Sequence, residues 1–159
     1  LSSYYKNIYF LVPLENQIYK YTKISTGWSE PKDTIDNSKA DISKAVSFDI
    51  DGYIYVLSQD GSCLKLSKGN PLPDFSLKNI PLPAEKIENP KTIVTSVELD
   101  SLYILDEGQK RIVEFDKEGD YLRQYIIPEN IGQIKDIAVN IKTQKIYVLA
   151  DAFIYQFGL

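Results

Sequence analysis

The chain has 159 residues, with 18 basic and 22 acidic side chains, no His, no Met and one Cys. The missing imidazole removes Ser-His-Asp and Cys-His relays and His-ligated zinc or haem, and a single Cys forms neither an internal disulfide nor a thiolate cluster. A net charge of −4 argues against a nucleic-acid partner, and no apolar run is long enough to bring this segment into a membrane. The 12 Tyr and 6 Phe, set among Ile, Val and Leu, make a strand composition, so an all-β domain is expected. Beginning at Leu1 without Met, the chain is expected to be a processed product or an excised piece.

Taken in chain order, four segments share one pattern. They are Ile8-Tyr9-Phe10-Leu11, Ile54-Tyr55-Val56-Leu57, Leu102-Tyr103-Ile104-Leu105 and Ile146-Tyr147-Val148-Leu149, with starts 46, 48 and 44 residues apart. Each has Tyr in second place and Leu in fourth. A second pattern follows each: Ile18-Tyr19-Lys20-Tyr21, Leu64-Lys65-Leu66, Ile112-Val113-Glu114-Phe115 and Ile154-Tyr155-Gln156-Phe157. Upstream of the last three copies lie Phe48-Asp49-Ile50, Val97-Glu98-Leu99 and Val139-Asn140-Ile141. A further strand is expected around Trp28, at Phe75-Ser76-Leu77 and at Tyr121–Ile127. Asp51-Gly52, Asp60-Gly61 and Glu118-Gly119 supply tight turns between them.

Each unit thus reads as an antiparallel meander of strands A to D, with B the Tyr-x-Leu strand. The B strands are apolar on both faces, which requires sheets stacked on either side. Four strands per unit and a period near 46 residues match a β-propeller, with blades at about 1–36, 37–82, 83–130 and 131–159. No A strand is expected before Ile8 and no D strand after Phe157. This leaves about three and a half blades, expected to be a self-associating half-propeller (a homodimer), a piece of a longer ring, or a closed four-bladed ring.

The third unit carries Asp106, Gly108, Arg111-Ile112, Phe115-Asp116 and Gly119 in the order of an NHL repeat, which it resembles. Gln109 and Lys110 stand where that family has Asn-His. The resemblance implies a propeller of six to eight blades and a structural bridge between Asp106 and Arg111. In such propellers the B–C and D–A connections share a rim that forms the ligand surface. Here that rim would carry Glu15, Asn16, Gln17, Asp60, Glu107, Gln109, Lys110 and Asp151. Its polar, mostly acidic character suits a cationic peptide, an amine-bearing sugar or a hard cation, although no turn has EF-hand spacing. Solvated hairpin turns are the plainer reading of the same residues.

Cys63 is expected to be a small buried side chain and Trp28 to pack at a blade edge. The first functional expectation is therefore a non-catalytic module binding a protein, peptide or glycan within a larger polypeptide, without a cofactor. The alternative is a calcium-dependent propeller lactonase or hydrolase, for which few inward-pointing acids are expected on the A strands. For location, a bacterial exterior comes first and the cytoplasm second.

Overall fold

A computed structural model describes residues 1–159 as an all-β chain of four antiparallel sheets arranged as a four-bladed β-propeller. The first blade comprises β1 (Ser2–Tyr4), β2 (Asn7–Val12), β3 (Gln17–Ile24) and an outer edge split into β4 (Gly27–Trp28) and β5 (Lys32–Asp33). The second is β6 (Ala45–Ile50), β7 (Ile54–Ser58), β8 (Cys63–Ser67) and β9 (Asn70–Pro71). The third is β10 (Pro90–Val94), β11 (Ser101–Asp106), β12 (Arg111–Asp116) and β13 (Tyr121–Ile126). The fourth has three strands, β14 (Ile134–Asn140), β15 (Lys145–Ala150) and β16 (Phe153–Gly158). No helix is long and apolar enough to cross a membrane.

The B and C strands fall where the repeat places them. Four outer or inner strands do not. The first blade has an A strand after all, with Ser2 opposite Tyr9 and Tyr4 opposite Asn7. The outer strand of the second blade is Asn70–Pro71, while Phe75 leaves the ladder to stack edge-on against Tyr55. The third A strand is Pro90–Val94 rather than Val97–Leu99, and the fourth begins at Ile134 rather than Val139. The cause is the length of the A–B connection. It is a tight turn at 51–53, but spans 95–100 in the third blade and 141–144 in the fourth.

The alternation of strand side chains sorts the Tyr-x-Leu motif between neighbouring blades. Its second and fourth places face the following blade, and its first and third face the preceding one. Tyr9 and Ile18 share a core with Phe48, Val56 and Leu66 of the second blade. Tyr55, Leu57 and Cys63 share one with Ile93, Leu102 and Ile104 of the third. Tyr103, Leu105 and Ile112 share one with Ile137, Ile146 and Val148 of the fourth. Three such junctions supply the apolar burial that holds the sheets together.

Candidate functional site

Each of the A strands β6, β10 and β14 carries a β-bulge at the same place. Ala45, Pro90 and Ile134 pair normally, the next residue is extra, and the ladder resumes at Ser47, Thr92 and Asp136. The extra residues are Val46, Lys91 and Lys135. A bulge turns its side chain away from the regular pleat, a device found beside functional sites. All three line a central cleft of about 380 Å³, together with Ser47, Thr92 and Asp136.

Side chains stitch the A strands to one another around this cleft. Ser47 Oγ accepts from the Ile93 amide at 3.2 Å, and Thr92 Oγ1 donates to Asp136 Oδ1 at 3.1 Å. Asp49, deeper in the channel, accepts from Ser2 Oγ at 2.6 Å and from the Thr95 amide at 2.9 Å. Burial nevertheless raises its carboxyl above the ordinary value. The A strands therefore bring two acids, Asp49 and Asp136, to the channel lining. No group of three or more Asp, Glu or Cys side chains is placed to share a metal ion.

The B–C turns lie beside the connections that enter the same blades, and hydrogen bonds tie much of this edge down. The amides of Gln59, Glu107 and Asp151 donate to the carbonyls of Lys44, Asn89 and Gln133, fastening each B–C turn to the connection that enters the same blade. Glu15 accepts from the Tyr19 hydroxyl at 2.5 Å. Asn16 takes a left-handed conformation with φ 54°, accepts from the Ile42 amide and donates to the Ala40 carbonyl. Gln17 is buried, with Oε1 accepting from the amides of Ile18, Thr34 and Ile35 and Nε2 donating to the Ile35 carbonyl. Asp60 caps its own turn through the Ser62 amide and hydroxyl, and those bonds hold its carboxyl below the ordinary value.

Glu107, Gln109, Lys110 and Asp151 stand at the B–C turns of the last two blades. Glu107 pairs with Lys91 at 3.0 Å, so it belongs to the channel mouth as well as the rim. Lys110 pairs with Glu129 at 2.5 Å. Asp151 accepts from the Gln133 amide, and its carbonyl accepts from Lys135 Nζ at 2.6 Å. Gln109 alone opens onto a separate polar hollow of about 410 Å³, beside Pro83, Glu85 and Lys86. The structure thus joins Glu107 and Asp151 to the channel lysines, ties Asn16 and Gln17 to the backbone of the connection leading to the second blade, and leaves Glu15 and Asp60 within their own turns. Lys91 and Lys135 are not legible from the strand pattern, because the longer A–B connections set the A strands upstream of Val97–Leu99 and Val139–Ile141. The signal was the blade spacing itself, since Phe48, Ile93 and Ile137 lie 45 and 44 residues apart.

Further polar groups lie inside the sheets. Asp106 and Arg111 form the buried bridge that the repeat implies, at 3.1 Å. Lys65 lies buried over the rings of Tyr53, Tyr55 and Phe75 and donates to the Lys117 carbonyl and Glu118. Cys63 is buried, and desolvation pushes its thiol up to about 12, far from a reactive thiolate. Trp28 is half-exposed at the blade edge, with Lys23 over its ring.

Fold and channel define the class, a β-propeller with a polar-mouthed central channel. No family model matches the chain, and no curated protein matches it. Solved structures do, at low identity. The glutaminyl cyclase of Myxococcus xanthus is 10% identical with a TM-score of 0.67, covering 100% of this chain and 72% of that one. A nidogen/laminin complex is 13% identical with a TM-score of 0.59, covering 85% and 50%. The virginiamycin B lyase of Staphylococcus aureus is 16% identical with a TM-score of 0.59, covering 100% and 54%. The chain therefore spans about half the length of two of these neighbours. At such identities the likeness establishes the fold and not the activity.

Proposed function

We propose that this propeller is a non-catalytic recognition module, the binding part of a larger polypeptide, which takes a protein, peptide or glycan at the mouth of its channel. The observation that carries the reading is the bulge repeated in three blades. It sets Lys91 and Lys135 beside Ser47, Thr92 and Asp136, with Val46 as an apolar wall. Donors, acceptors and a short apolar surface on rigid strands suit a ligand with alternating polar and apolar groups. A neighbour solved as a protein–protein complex supports the reading by analogy. So does the NHL-like third blade.

The test is binding to an immobilised peptide library and a glycan array, repeated with Lys91→Glu/Lys135→Glu. Ligands that the native chain retains and the variant loses support the channel mouth. Equal retention by both overturns it. A second reading, a calcium-dependent hydrolase, draws on the two neighbours named as enzymes and on Asp49 and Asp136 in the channel lining. Calorimetric titration with calcium separates the two readings. Binding heat with a thermal shift would favour the hydrolase, and their absence would remove it.

A further inference from the structure

The three junctions between blades repeat one arrangement. The third-place residue of a B strand, buried and apolar, shares a core with three side chains of the preceding blade. Those are the second-place Tyr, the fourth-place Leu and the C-strand residue paired with that Leu. Val56 meets Tyr9, Leu11 and Ile18 in this way. Ile104 meets Tyr55, Leu57 and Cys63, and Val148 meets Tyr103, Leu105 and Ile112.

A fourth set exists without an occupant. Tyr147, Leu149 and Ile154 stand in the same register, with Leu149 opposite Ile154. They line an apolar hollow of about 150 Å³. Leu149 is 38% exposed and Ile154 72%. The one third-place residue without a host is Phe10, which is 40% exposed and stacks edge-on with Tyr21. The free face of the last blade is thus the socket type, and the free face of the first blade is the plug type.

We propose that two copies of this chain close a ring, with Phe10 of each seated among Tyr147, Leu149 and Ile154 of the other. The contact is head-to-tail and occurs twice about a two-fold axis, so the assembly closes and leaves neither face open. Area supports this occupant. An average folded monomer of 18.1 kDa exposes about 8,100 Å². This chain exposes 9020 Å². The surplus of about 900 Å² fits an arc with two uncovered blade faces. The junction completes the ring but does not depend on what the channel mouth binds.

Light scattering of the 159-residue chain after size exclusion tests the proposal. The expected mass is twice 18.1 kDa, falling by half in Phe10→Arg and in Ile154→Arg and unchanged in Leu122→Arg on the outer strand β13. Because an arginine variant can also fail to fold, a second measurement uses chains carrying Phe10→Cys and Ile154→Cys separately. Mixed under mild oxidation, they should give a disulfide-linked heterodimer in preference to either homodimer. A native chain that stays monomeric at high concentration overturns the proposal, as does an open assembly larger than a dimer. Ligand retention by a folded monomeric variant would leave the recognition reading standing while separating it from ring closure.

Discussion

Arg111 Nε donates to Asp106 Oδ2 across the turn between β11 and β12, and neither side chain reaches solvent. The pair is the centre of a larger clamp. Arg111 also donates to the carbonyls of Ala84 and Lys86 and to Gln124, while Asp106 accepts from the amides of Glu88 and Asn89. One ion pair therefore fixes the connection that enters the third blade to the turn above it and to the outer strand. Arg111→Met would leave a buried carboxylate without its cation, a loss of about 3–5 kcal/mol. Asp106→Asn keeps an acceptor for the two amides and should cost less. Urea unfolding of the two variants checks the order.

Gly119 closes the C–D turn of the third blade at φ +87°, and a Cβ there would lie 2.1 Å from the Ser76 carbonyl oxygen. The same turn accepts the Lys78 amide at 2.9 Å, tying the segment after β9 to the third blade. Gly119→Ala therefore combines a left-handed backbone, costing about 1–3 kcal/mol, with a backbone clash that must open this contact. Gly158→Ala, with nothing within 4 Å of the added carbon, should stay within about 0.5 kcal/mol of the native chain. Thermal unfolding of both gives the contrast.

How much of this the sequence carried depended on whether a residue's role was local. Tyr9, Tyr55 and Tyr103 recur in register because each packs against the blade that follows it, so the repeat is legible without coordinates. Asp51-Gly52, Asp60-Gly61 and Glu118-Gly119 were equally plain, since a hairpin turn writes its backbone needs into two residues. The inner strands were not. Pro90–Val94 is held by β6 and β11 rather than by its own alternation, and a longer connection moved it away from its expected place. The bulged Lys91 and Lys135 went unseen with it. A polar side chain after a turn ordinarily faces water, which is what places Gln17 on the rim in the sequence. What it faces is the backbone of residues 34 and 35, distant in sequence.

That placement makes Gln17 a test of rim against scaffold. Its side chain is only 3% exposed as part of a residue that satisfies three backbone amides and one carbonyl between the first blade and the entry to the second. Gln17→Ala removes every partner at once. With about 1–3 kcal/mol for each buried group left unpaired, the loss should exceed that of an ordinary surface substitution severalfold. Gln17→Glu keeps the acceptor for the amides but sets a second oxygen against the Ile35 carbonyl, and should be destabilising as well. A chain whose unfolding midpoint is unmoved by Gln17→Ala would return this residue to the solvent-facing rim.

Glu114 governs the acid limit. Buried in β12, it accepts from Ser101 Oγ at 2.8 Å, Tyr103 at 3.2 Å, Arg123 Nε at 2.7 Å and Tyr125 at 2.7 Å. Burial by itself would raise its carboxyl, but the bonds from Tyr125, Arg123 and Ser101 outweigh that and hold it below the ordinary 4.5. A lowered folded value means that the unfolded chain takes up the proton more readily. The stabilisation is therefore present above about pH 4.5 and is lost as pH falls through the folded value. Asp36, Asp41 and Asp60 are lowered too, but they lie on exposed turns and titrate in native chain and variant alike. Glu114→Gln should lower stability at pH 7 by about 1–3 kcal/mol and flatten the acid limb, so that the two curves converge on acidification. At the alkaline end burial raises Tyr103 to about 12 and the neighbouring Glu114 charge adds to it, so stability present below pH 10.0 is lost as pH rises toward that value. Removing the Glu114 charge should soften that loss as well. Urea midpoints measured from pH 3 to pH 11 on both chains test the pair of trends, and parallel curves at both ends would assign the acid limit to the surface carboxylates instead.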